Sequence, residues 1–160
     1  MEKVTQHEIE SFSQAIEHRA TWFALLLEEA EKRGLGPEFA RDAIRRCGVF
    51  HGMTKYPRTD DLDEFEKCFV NPLVEGAFRM EPERTETTLK VSFHACPLVA
   101  AWRKLGVPEE KLPLLCDIAM DGDRGVASTY PDLKFTLGKT IAQGNPVCEI
   151  LFEKTGEKSE

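Results

Sequence analysis

The sequence lacks the motifs that announce several common chemistries. It has no glycine-rich phosphate loop, no Gly-x-Ser-x-Gly elbow and no His-Glu-x-x-His pair. Nucleotide-dependent enzymes, elbow-type serine hydrolases and zinc proteases are therefore disfavoured. No close-spaced cysteine motif is present, which argues against a zinc finger or a dithiol redox centre. Asp121-Gly122-Asp123 lacks the ligand series of a calcium loop. Positive charge is in deficit: 21 Lys and Arg against 28 Asp and Glu leave a formal charge of −7. Neither nucleic acid nor an anionic membrane is an expected partner. Long apolar runs are missing as well. Trp22-Phe23-Ala24-Leu25-Leu26-Leu27 is far too short to span a bilayer and has no basic segment before it, so it reads as neither anchor nor signal peptide. Five cysteines, an odd number without an export signal, fit free thiols in a reducing cytoplasm.

What is present is a clear change of period along the chain. Ile9, Phe12, Ile16, Ala20, Phe23, Leu27 and Ala30 recur at helical steps and end at Lys32-Arg33-Gly34. Pro37 suits the first turn of a second helix carrying Phe39, Ala43, Ile44 and Cys47. Asp60 or Asp61 caps a third with Leu62, Phe65 and Phe69, which Asn71-Pro72 ends. Residues 77–81 and 89–93 then alternate as a hairpin with its turn near 83–86. Pro97 opens a helix through Trp102 and Gly106 closes it, and Pro108 restarts one bearing Leu112, Leu115, Cys116 and Ala119. Residues 121–125 read as a loop, followed by strands at 133–137 and 147–152. The expectation is an α+β domain over residues 1–154, helical in 1–72 and hairpin, helices, hairpin in 73–154. Its N-terminal helices would pack on an antiparallel sheet of about four strands, with a flexible tail at 155–160. Trp22 and Trp102 read as core or pocket wall. Apolar residues nearly all round the first helix at Trp22–Leu27 suggest self-association as a homodimer.

Three cysteines stand at structural boundaries or core faces. Cys96 follows a predicted strand and precedes Pro97, which places it at a helix N-terminus, where the dipole favours a thiolate. Cys116 lies in an apolar helical pattern, and Cys148 shares strand parity with Ile150 and Phe152. Three separated segments could thus converge on one thiol-lined pocket, although simple core packing explains Cys116 and Cys148 equally well. Cys47 and Cys68 read as packing residues. In an extended strand His94 would share a face with Cys96, giving a Cys-His pair or, with Cys116 and Cys148, a zinc or iron ligand set. No metal or cofactor is otherwise indicated.

Cys96-Pro97, Cys116-Asp117, Gly144-Asn145-Pro146-Val147-Cys148 and the lead-in Thr140-Ile141-Ala142-Gln143-Gly144 resemble the pattern of the L-2-amino-thiazoline-4-carboxylic acid hydrolase family. The resemblance covers roughly residues 75–153. The element order is also similar, at fold level, to the ligand-binding fold of 4-vinyl reductases and vesicle-tethering subunits. The family resemblance implies a small-molecule substrate and hydrolytic opening of a cyclic amidine at the carbon between sulfur and nitrogen. Under it Cys96 is the nucleophile, and His94 or Asp117, with Asp121 a further carboxylate, carries the proton. Cys116 and Cys148 line the pocket, and Arg103 or Arg124, with Arg79 a further candidate, binds the substrate carboxylate. Two other readings stand beside it: a non-catalytic domain binding a small ligand or a partner, and a metal-dependent enzyme using the Cys/His set.

Overall fold

A computed structural model describes residues 3–156, so part of the predicted tail, residues 157–160, lies outside the described residues. The chain is α+β: seven α-helices and a four-stranded antiparallel sheet of order β1-β2-β4-β3 among the described residues.

Helix α1 (Gln6–Lys32) begins at a capping box: the Glu8 amide donates to Thr5 Oγ1 at 3.1 Å, and the Thr5 amide to Glu8 Oε2 at 2.6 Å. Its buried stripe is Ile16, Ala20, Ala24, Leu27 and Ala30. The small alanines let α5 (Pro97–Leu105) lie close, and Trp102 Nε1 donates to the Ala20 carbonyl at 2.9 Å. Trp102 is fully buried; Trp22, expected in the core or a pocket wall, is instead 63% exposed. Helix α2 (Glu38–Thr54) turns Ala40, Gly48 and Gly52 inward. Gly48 meets Gly122 of α7 (Asp121–Ser128) and Gly52 meets its C-cap Thr129; α7 replaces the loop expected at 121–125. The Asp-Gly-Asp-Arg-Gly composition resembles a turn, but here the glycines serve a close helix crossing. A β-carbon on Gly125 would stand 2.3 Å from the Arg45 carbonyl oxygen.

Asp61 caps α3 (Leu62–Phe69), accepting from the Asp63 amide at 2.9 Å. Asn71-Pro72 ends that stripe and also opens α4 (Pro72–Phe78), because the Asn71 side chain accepts from the Val74 amide at 3.1 Å. Residues 77–78 are thus helical rather than the start of a strand, and Arg79, in the left-handed region at φ 49°, makes the turn into β1 (Met80–Arg84). Strand β2 (Thr88–Phe93) pairs with β1 and with β4 (Cys148–Lys154), which also pairs with β3 (Leu133–Leu137). A 3-10 turn at Glu109–Lys111 leads into α6 (Leu112–Ala119).

The strand parity read from the sequence puts Leu89, Val91 and Phe93 opposite Phe152, Ile150 and Cys148 on one buried face. Lys90 is exposed on the other face, and Ser92, Glu149 and Glu153 are only part-buried there. Phe65 seals the inner face with ring centroids 4.9 Å from Phe152 and 5.3 Å from Tyr130. Each such fully buried apolar side chain contributes about 1.5–3 kcal/mol.

Candidate active site at the cysteine cluster

The antiparallel register brings the cysteines together. Phe93, the last residue of β2, lies opposite Cys148, the first of β4, so the chain leaving β2 passes the entrance of β4. Three residues on, Cys96 is the N-cap of α5, with the extended backbone (φ −141°, ψ 103°) that N-caps adopt. The 3-10 turn Ile141–Gln143 sits before β4 and holds Cys148 through the Ile141 amide, which donates to its Sγ at 3.1 Å. Thr140, buried and reciprocally capped with Gln143, hydrogen-bonds the Cys116 thiol from this same turn. Cys148 lies within electrostatic reach of Cys96, and both act on Cys116. Cys116 and Cys148 are buried, whereas Cys96 is part-exposed.

The thiols are not the thiolates that a helix N-terminus suggests. Burial pushes Cys96 up to about 11 and outweighs the amides of Val99 and Leu98, which pull the other way as the dipole argument requires. Burial, with Cys148 and Cys96 nearby, pushes Cys116 up to about 12 against its bond from Thr140. Cys148 is also raised by burial, opposed by the Ile141 amide. At neutral pH the cluster therefore holds protonated, weakly polar thiols.

His94 does not join them. The chain bends at His94 instead of continuing β2, so the shared strand face with Cys96 is lost. His94 Nε2 stands 3.2 Å from Glu81 Oε2 on the open side of the sheet. Among the described residues no group of three or more His, Cys, Asp or Glu side chains is arranged to hold a metal ion. The set His94, Cys96, Cys116 and Cys148 does not fit zinc or iron.

Asp117 and Arg124 belong to a four-membered ion-pair network. Arg41 reaches Asp117 at 2.6 Å and Asp121 at 3.1 Å, and Arg124 reaches the same two carboxylates at 2.8 Å each. Arg124 Nη1 also donates to the Asp117 carbonyl at 2.8 Å. Burial raises the Asp117 carboxyl, but the hydrogen bonds from Arg124 and Arg41 hold it below the usual range. Adjacent helical residues point apart, so Cys116 faces the core while Asp117 faces α2. Arg103 pairs with Glu109 at 3.0 Å near the far end of α5, on the order of 10 Å along the helix from Cys96. Arg79 is the left-handed residue between α4 and β1.

Sequence reading passed over two features. Arg41 carried no signal beyond its place on a polar helix flank. Asp123, read as a solvated turn residue, has no hydrogen-bond or ion-pair partner among the described residues, and burial raises its carboxyl to about 7 against the pull of Arg19 and Arg124. Among the remaining cysteines, Cys47 is exposed rather than packed, and the part-buried Cys68 donates to the Lys55 carbonyl at 3.5 Å. A cleft of about 270 Å³ lined by Ala24, Glu28, Val107, Lys111 and Leu115 adjoins the C-terminal end of α5, away from Cys96. No described helix is long and apolar enough to cross a membrane.

The fold is similar to that of trafficking protein particle complex subunit 3 from Naegleria fowleri, solved covalently bound to palmitic acid. The TM-score is 0.56 over 90% of this chain and 97% of that one, at 13% identity, a likeness of fold alone. Comparison with curated proteins gives no match. The family profile of L-2-amino-thiazoline-4-carboxylic acid hydrolase matches residues 13–152, which takes in all three clustered cysteines as well as the N-terminal helices, and the chain belongs to that family.

Proposed function

We propose that the protein is a small cytoplasmic hydrolase that opens a cyclic amidine of the 2-amino-thiazoline-4-carboxylate type at a carbon–nitrogen bond, with Cys96 as nucleophile. The observation that carries this reading is the convergence of Cys96, Cys116 and Cys148 from three segments, within a chain of the hydrolase family. Of the three, only Cys96 is part-exposed. Its sulfur bonds to the ring carbon and its proton passes to the basic ring nitrogen. The carbon–nitrogen bond then breaks and the nitrogen leaves as an amine. Water displaces the Cys96 sulfur from that carbon, which gives an S-carbamoyl product and restores the thiol. A thiol that keeps its proton until an amidine arrives suits this order of events. Cys116 and Cys148 wall the site, and the Leu98 and Val99 amides stabilise charge developing on the attacking sulfur.

Asp117 acts through the ion-pair network instead of as a free base, since both of its carboxylate oxygens are already engaged. Arg124 would take the substrate carboxylate only by exchanging one of its two aspartates. The test is ring opening of 2-amino-thiazoline-4-carboxylate by the intact protein and by Cys96→Ala.

A second reading is favoured by the raised thiol pKa values and by the acylated structural neighbour: a non-catalytic domain that carries a small ligand or an acyl group on a buried thiol. Intact mass spectrometry separates the two. A hydroxylamine-labile adduct on protein from cells, with no ring opening, supports the carrier; an unmodified chain that turns over supports the hydrolase.

A further inference from the structure

Ten large hydrophobic side chains are exposed among the described residues, and eight of these lie on α1, α2 or the link between them. Helix α2 is the more telling. Its inner face is Ala40, Gly48 and Gly52, while Phe39, Phe50 and Met53 on the opposite stripe are 57%, 62% and 59% exposed. The close crossing with α7 leaves no room for a side chain at Gly48 or Gly52. At 100° per residue, Asp42 and Arg46 fall on that same outer stripe.

Trp22 and Leu26, 63% and 64% exposed, form a second apolar patch on α1. With side chains of about 150–250 Å² each, Phe39, Phe50 and Met53 present on the order of 300 Å² of apolar surface. That is within the range for the largest patch on a monomer, about 300–600 Å².

We propose that this face is the interface of a two-fold homodimer in which α2 packs antiparallel on α2 of a second copy. The charges select a second copy as the occupant. Neither Asp42 nor Arg46 has an ion-pair partner within the described chain. An axis passing the outer side of α2 midway between them, at the level of the inward-facing Ile44, sets each Asp42 beside Arg46 of the other copy, two reciprocal pairs from one operation. The same axis brings Phe39 onto Val49 and diagonally onto Phe50. The surface thus complements itself, as a two-fold interface must.

The test is light scattering and sedimentation of the intact chain at micromolar concentration. The expected mass is twice the 18.1 kDa of one chain. Phe50→Asp should yield a monomer with unchanged circular dichroism. Asp42→Arg and Arg46→Asp, both at exposed positions, should each weaken self-association by about tenfold through like-charge contacts. Mixing those two variants should restore a dimer, since every pair is then opposite in sign. A wild-type monomer, a dimer indifferent to Phe50→Asp, or mixed variants that fail to recover would each overturn the proposal.

Discussion

A β-carbon placed on Gly48 would stand 2.0 Å from the carbonyl oxygen of Gly122, so helices α2 and α7 touch backbone to backbone. Gly48→Ala must push the helices apart, at about 1–3 kcal/mol for an overpacked contact with rigid backbone. Gly122→Ala is the control. Its β-carbon would meet only Ile44 Cγ2, at 3.7 Å, an ordinary contact, and alanine favours the helix. Urea melts should show a large loss for the first and a change within about 1 kcal/mol for the second.

Asp121 and Asp117 share the same two arginines but not the same surroundings. The Asp121 side chain is 11% exposed and that of Asp117 is 40% exposed. Asp121→Ala should cost about 2–4 kcal/mol, because it leaves two part-buried guanidinium groups sharing the one more exposed carboxylate of Asp117. Asp117→Ala should cost about 1 kcal/mol, the remaining interaction being screened by solvent. Equal losses in denaturant melts would mean that depth does not govern the network.

Asp123 gives a pH dependence of defined sign. Its carboxyl titrates near 7 in the folded chain and near the ordinary value of about 3.9 when unfolded. Between these values the folded state holds a proton that the unfolded state has released. The contribution of Asp123 to stability therefore falls as pH rises from about 4 to about 7 and is flat above. Asp123→Asn should raise stability at pH 8 by on the order of 2–4 kcal/mol and by little at pH 4. A gain equal at both pH values would contradict the assignment.

The clustered thiols should react slowly. With Cys96 raised to about 11 and Cys116 to about 12, iodoacetamide at pH 7.5 should label the exposed Cys47 first. Labelling of Cys96 should then climb with pH toward 11, ahead of the buried Cys116 and Cys148. Peptide mapping reads the order directly, and rapid labelling of Cys96 at neutral pH would show that the helix N-terminus prevails over burial.

Much of the fold was legible because alternation and helical period survive in the sequence. Leu89, Val91 and Phe93 opposite Phe152, Ile150 and Cys148 follow from strand parity. The thiol cluster was legible for the same reason, since Cys148 shares that parity and Pro97 turns Cys96 into a cap. Helix α7 was not legible. Gly122 and Gly125 look like turn residues until the partner helix is known, because their small size answers to Gly48 and Arg45, more than 70 positions away. The thiol pKa values were hidden likewise: the dipole can be read from Pro97, but the burial that overrides it is tertiary.

Mass-spectrometric detection of ring opening in 2-amino-thiazoline-4-carboxylate, by the intact protein and by Cys96→Ala, tests the central claim most directly. The account predicts a ring-opened product with the intact chain and none with the variant, while Cys116→Ala and Cys148→Ala retain part of the activity. Undiminished turnover by Cys96→Ala, or none by the folded intact protein, would contradict it.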